Sequence, residues 1–441
     1  MQDKLELGQC YYRPSFFNMK VDVLIELNDL KELPDGTMGL YFHEYIHYLQ
    51  DISTIYGLMN MSTINYYIQA CAHDIFQQKE RNDFEVPILL ENINLRTGND
   101  DYGVSNFNLR KVYMGSSIRF KSRAIDNFEY EISRYEYEES KYMDIVKIKF
   151  YDIDLADIRE LEFGGVHVCE GMAYLCEQYH YKGVLNVAPD YPYLIVQKLA
   201  ERIFPEILEF PILMVALCDI SLMTFHPGLS YVRLLLFVKD EFQIEKEDYN
   251  LEELYKDCMA FVKGSHPDYG VLSEMVRQQI SKNFNADYYE NTQNWIDIIF
   301  HRITKLRTEI PSFMTDLLIH GAPKTNIFFG TVLNQVGSPL VIDGEYNGTI
   351  SLPRGYEPTS LNFNPGIFMA IGQILKIFSS DKPMQCELKE YCIKSCESDP
   401  NLRIDHNCDV APWKKAKEDH LCPVGQIWHH WALKDYSPKY F

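Results

Sequence analysis

The chain has 441 residues, 46% of them hydrophobic and 24% charged, a composition that fits a folded globular protein with a full-sized core. Its 63 acidic residues outnumber 42 basic ones, and the resulting net charge of -21 repels phosphate backbones, so no nucleic-acid partner is expected. No apolar leader core opens the sequence and it contains no stretch of about 20 apolar residues, so its eleven cysteines are expected to be reduced thiols or metal ligands in a cytoplasmic protein without a membrane partner.

Residues 21–27 (VDVLIEL) alternate apolar and polar, which predicts a half-buried strand. Leu33-Pro34-Asp35-Gly36-Thr37 predicts a turn, with Asp35 or Thr37 capping the helix after it. That helix is expected over 38–56, ended by Gly57, and a second over 62–78. The polar stretch 92–106 predicts a loop. Residues 112–151 are charged and mixed in signal, with 146–150 (VKIKF) alternating like a strand.

Gly164-Gly165 opens a helix expected to reach about His180, and helical patterns return over 193–202, 206–224, 251–263 and 288–307. The apolar run 211–232 is interrupted by Asp219, His226 and Pro227 and reads as a buried core helix. An Asp-Gly and an Asn-Gly pair within 339–352 predict a β-hairpin, and 365–378 predicts one more buried helix. From about 382 the composition changes, with five of the eleven cysteines and three of the four tryptophans. The expected fold is mainly α (α+β) in two parts. Residues 1–381 carry an inserted region at about 62–151, and 382–441 form a small Cys/His/Trp-rich C-terminal module.

Within the first long helix stands His43-Glu44-Tyr45-Ile46-His47. Two histidines one helical turn apart project from one face and can both reach a zinc ion at about 2.0–2.1 Å. Glu44 then lies beside the metal, where a carboxylate can take a proton from bound water. A chance match on a solvated helix face is the bland alternative. This pentapeptide and its strand, turn and helix context resemble the zincin metallopeptidases. The resemblance covers the metal helix and one later segment. It implies a zincin-like domain with a small sheet, a Zn2+ cofactor, and a protein or peptide substrate hydrolysed with Glu44 as general base.

The resemblance also implies a third ligand. Glu170, in Val166-His167-Val168-Cys169-Glu170-Gly171-Met172-Ala173, is similar to the third-ligand segment of the gluzincin branch, whose small residues would let this helix pack on the metal helix. The gap from His47 is longer than in the best-known gluzincins, and Glu177, Glu162 and His167 are alternatives. Asp51, four residues after His47, is a candidate to hold that imidazole. His226 and Tyr231 are candidates to stabilise an oxyanion.

In the tail, Asp405-His406-Asn407-Cys408 and Asp419-His420-Leu421-Cys422 share a pattern, so His406, Cys408, His420 and Cys422 could form a second, structural metal site. Cysteines upstream could join them, an iron–sulfur cluster being one option, or the thiols could simply pack around the tryptophans. The leading function is peptide hydrolysis, with 21–27 as an edge strand for the substrate. The alternatives are an inactive binding or regulatory protein that uses the tail for recognition, and a zinc hydrolase of small molecules with a closed pocket.

Overall fold

The computed structural model describes residues 5–7, 10–23, 30–78, 82–89, 109–110, 112–185, 187–241, 250–264, 268–358, 363–396 and 401–440. Helix α1 (Asp35–Ser53) starts after Pro34, earlier than expected, so Asp35 and Thr37 lie in its first turn and neither caps it. Asp35 there favours the helix dipole and pairs with Lys324 at 2.7 Å. The helix stops at Ser53, short of the expected Tyr56. Thr54 takes extended geometry (φ -117°, ψ 155°), and its hydroxyl accepts the Gly57 N–H at 3.0 Å, which caps helix α2 (Ile55–Gln77). Gly57 is therefore a corner residue: a Cβ there would fall 2.2 Å from the Asp51 carbonyl oxygen.

Strands β1 (Leu5–Leu7), β2 (Cys10–Arg13), β3 (Asn18–Lys20), β8 (Leu340–Ile342) and β9 (Gly348–Thr349) form one sheet in the order β1-β2-β3-β8-β9. The expected hairpin is β8 and β9, and β3 runs parallel to β8. The strand expected at 21–27 does not form where it is described. Val21 donates to Ile342 at 2.9 Å and the chain then bends through Val23. Residues 24–27 lie outside the described residues, as does the loop expected at 92–106.

A second sheet is antiparallel: β5 (Ile125–Glu138), β6 (Lys141–Asp152) and β7 (Asp157–Phe163). The strand read at 146–150 is the buried part of β6, whereas β5 is largely exposed: its Phe128, Tyr130 and Ile132 alternate with acidic residues, but Ile132 faces solvent and the other two are only half-buried. Helix α3 (Gly165–Tyr181) comes next, then α4 (Ile195–Ile203), α5 (Pro211–Leu222), α6 (Pro227–Glu241), α7 (Leu251–Phe261), α8 (Tyr269–Lys282), α9 (Glu290–Glu309), α10 (Phe313–Ile319), α11 (Ile327–Val336) and α12 (Gly366–Ser379). The helix expected over 206–224 is instead a short 3₁₀ turn and α5, because Pro211 lacks an N–H and takes a first-turn position. The run 211–232 likewise divides between α5 and α6.

The architecture is mixed α/β with helices predominant. Every residue of α1 from Tyr41 to Ser53 is buried, held between β2 and α3. The tail adds α13 (Lys389–Ser395), α14 (Pro423–His430) and β10 (Ser437–Lys439), which pairs in parallel with β4 (Asp83–Glu85). Trp428 packs between Phe84 and Phe378, and the Trp431 indole donates to the Asn283 carbonyl at 3.2 Å. Among the described residues no helix is long and apolar enough to cross a membrane.

Candidate metal centre

Helix α1 lies against α3, and the crossing brings His43 and His47 of one to Glu170 of the other. Both imidazole Nε2 atoms stand 3.8 Å from Glu170 Oε2, beyond hydrogen-bond reach. One ion at about 2.0–2.1 Å from each ligand would set them roughly 3.4 Å apart. Among the described residues neither Nε2 has a partner within hydrogen-bond distance, although both histidines and Glu170 are buried. Buried nitrogens are seldom left so. Among the described residues this is the one group of three or more His, Cys, Asp or Glu with ligand atoms all within 4.8 Å. The residues present fit a metal ion.

The other face of each imidazole is fixed. His43 Nδ1–H donates to Glu177 Oε2 at 3.0 Å, and His47 Nδ1–H donates to Gln50 Oε1 at 2.8 Å. These bonds leave both Nε2 lone pairs directed at the shared point. Gln50 also donates to the Cys169 carbonyl at 3.1 Å, tying the metal helix to α3. Glu177 thus orients a ligand and is not one. Gln50 was missed by the sequence reading, its only signal being a polar residue three positions after His47.

Electrostatics ask for positive charge here. Burial opposes charging His43, but Glu170 and Glu177 outweigh it and raise its pKa to about 10. Burial, reinforced by His43, lowers His47 well below the usual histidine range. Glu44 is pushed well up by burial; the His43 charge opposes this and the Glu170 charge adds to it. Neither Glu44 oxygen has a side-chain hydrogen-bond partner among the described residues, and the Tyr12 backbone N–H only partly opposes the rise.

Other candidates fall elsewhere. Asp51 does not meet His47: it accepts from the Tyr12 hydroxyl at 2.8 Å and the Ser15 N–H at 2.6 Å, so it fastens α1 to the β2–β3 turn. His167 caps α3, its Nδ1 accepting the Gly164 N–H at 3.3 Å. Glu162 sits in β7, paired with Lys147 of β6. The Tyr231 hydroxyl donates to the Val196 carbonyl at 3.1 Å, which commits it to the core and removes it as an oxyanion donor. His226 packs edge-on to Tyr113 before α6, and burial holds its pKa down to about 4. Gly171 makes room for α4, not for α1: a Cβ there would fall 2.3 Å from Val196. In the tail His406 and His420 are exposed while Cys408 and Cys422 are buried, so these four residues do not converge.

A cavity of about 50 Å³ adjoins His47, walled by Pro14, Tyr56, Ile64, Ile118 and Val166, with Arg110 at its rim. Comparison with protein families, curated proteins and solved structures returns no match for this chain. Fold and site therefore define a mixed α/β protein with a buried His/His/Glu centre suited to a metal ion.

Proposed function

We propose that this chain is a zinc-dependent peptidase of zincin type, gluzincin-like in its glutamate ligand, acting in the cytoplasm on a protein or peptide. The observation that carries the reading is Glu44: a fully buried carboxylate, next to a ligand, with no side-chain hydrogen-bond partner among the described residues. This supports an active enzyme over a binding protein that merely keeps the scaffold.

His43, His47 and Glu170 would hold the ion. When bound, zinc polarises the scissile carbonyl and brings the pKa of a bound water to about 7. Glu44 takes the water proton on a carboxylate oxygen and passes it to the departing amine, so one residue serves as base and then acid. Glu177 and Gln50 keep both imidazoles in the ligating tautomer. The apolar wall of the cavity beside His47 suits one apolar substrate side chain.

The small volume of that cavity and the burial of all four chemical residues also support a second reading, hydrolysis of a small amide. A mixed peptide library, with cleavage mapped by mass spectrometry before and after chelation and zinc re-addition, decides. Zinc-restored cleavage of internal peptide bonds is expected. Turnover confined to small acyl amides would favour the second reading, and no zinc-dependent turnover of either class would remove both.

A further inference from the structure

Four tail cysteines, drawn from separate segments, line one small cavity. Cys386 precedes α13 and Cys392 lies within it. Cys408 sits in the single turn Asn407–Val410, and Cys422 is the N-cap of α14. All four are buried, and none is in a disulfide. The fifth, Cys396, is turned away and donates to the Leu402 carbonyl at 3.1 Å.

The backbone is arranged around these sulfurs. The Cys386 N–H donates to the Cys408 carbonyl at 2.7 Å, clamping two of the ligand segments together. In Cys422-Pro423-Val424-Gly425, the Gly425 N–H points back to Cys422 Sγ at 3.4 Å, a contact that stabilises a thiolate over a thiol. The same cavity is rimmed by Lys389, Arg403 and Lys415. Lys415 is itself buried, pairing with Asp405 at 3.1 Å and Glu418 at 2.5 Å. Thiols packed as small hydrophobes need neither a common focus nor cations around it.

We propose that Cys386, Cys392, Cys408 and Cys422 ligate an iron–sulfur cluster, a second metal centre independent of His43, His47 and Glu170. Sulfur spacing distinguishes a cluster from one zinc ion. Four thiolates at about 2.3 Å from a zinc place every sulfur pair roughly 3.8 Å apart. No three of these sulfurs lie within 4.8 Å of one another. A cubane cluster spreads its thiolates over separate irons and so needs wider spacing. Its tetrathiolate form carries net negative charge; Arg403 lines the same cavity, while Lys389 is paired with Asp409 at 2.6 Å and Lys415 with Asp405 and Glu418. The cluster joins α13, the 407–410 turn and α14, in a segment that is short of core of its own.

The test is the full chain, expressed with supplementary iron and purified without oxygen. Iron, acid-labile sulfide and zinc are measured per chain beside the visible spectrum. The expected result is a broad band near 400 nm with about four iron and four sulfide. These are retained in His43→Ala and in Cys396→Ser and lost in Cys408→Ser. If the Cys408→Ser chain fails to fold, the wild-type iron and sulfide content still decides. Absence of both, even after anaerobic reconstitution, overturns the proposal. So does a zinc ion that survives His43→Ala and is lost in Cys408→Ser, which would make the site a single tetrahedral ion.

Discussion

At the scale of the residue, the site has two layers with different legibility. His43, Glu44 and His47 could be read because four-residue spacing on a helix fixes a shared face locally. Glu170 was reachable through resemblance. Glu177 was not recognisable as an orienting group, since its partner depends on how α1 crosses α3; Gln50 meets His47 within α1, three residues on, and only its bond to the Cys169 carbonyl depends on the crossing. Asp51 and Tyr231 have the right chemistry, but Tyr12, Ser15 and Val196 use it. Replacing Gln50 by Ala should weaken zinc binding about 10–100-fold by freeing the His47 ring, as read by competition with a zinc chelator. Unchanged affinity would assign Gln50 to the α1–α3 contact alone. His167 gives a pH prediction. Burial lowers its pKa from 6.5 to about 3, so the unfolded chain takes up a proton that the folded chain refuses. Its contribution is fully present above 6.5 and is lost as pH falls towards 3, by about 1.4 kcal/mol per pH unit. Urea unfolding of chelated protein should show a shallower loss between pH 6.5 and 5 in His167→Gln, where the amide can still accept the Gly164 N–H. Parallel curves for the two proteins would contradict this.

At the scale of the element, long periodic helices were legible and their junctions were not. Gly57 reads as a helix stop in one dimension, yet it is a point of close approach between α1 and α2. β5 was missed because its alternating Phe128, Tyr130 and Ile132 are half-buried or exposed, so no strong apolar face marks the strand. The end of the metal helix is secured from a distance. Arg307 of α9 donates to the Ser53 carbonyl at 3.0 Å and pairs with Asp219 of α5 through contacts of 2.8 and 2.9 Å. The Tyr255 hydroxyl completes the group on Asp219 at 2.8 Å. All this is buried, so Asp219→Ala strands a guanidinium and should cost about 3–5 kcal/mol. Denaturant titration measures it, and a loss below about 1 kcal/mol would mean that water replaces the carboxylate.

At the scale of the whole molecule, the change in composition near 382 coincides with four buried cysteines lining one cavity, whereas both histidines of the repeated D-H-x-C pattern are exposed. Convergence of Cys386 and Cys392 on Cys408 and Cys422 requires the folded chain, because the four come from separate segments. The tail is also bound to the body electrostatically. Glu387 pairs with Arg13 of β2 and Lys376 of α12, and Arg13 is buried. Glu387→Ala should therefore destabilise the chain by about 3–5 kcal/mol through the orphaned arginine, with Glu387→Gln milder. Thermal unfolding with limited proteolysis tests this: cleavage confined to residues beyond 380 would show the tail releasing first.

The central claim is that one buried centre combines ligation by His43, His47 and Glu170 with proton transfer by Glu44. Its most direct test is peptide turnover by zinc-loaded Glu44→Gln beside wild type, with zinc at the His/His/Glu centre counted in the same samples. The amide cannot take the proton, while every ligand remains. We predict equal zinc in the two proteins and a fall in turnover of several orders of magnitude. Wild-type turnover in the variant, or wild-type protein that binds no zinc at this centre, would contradict the account.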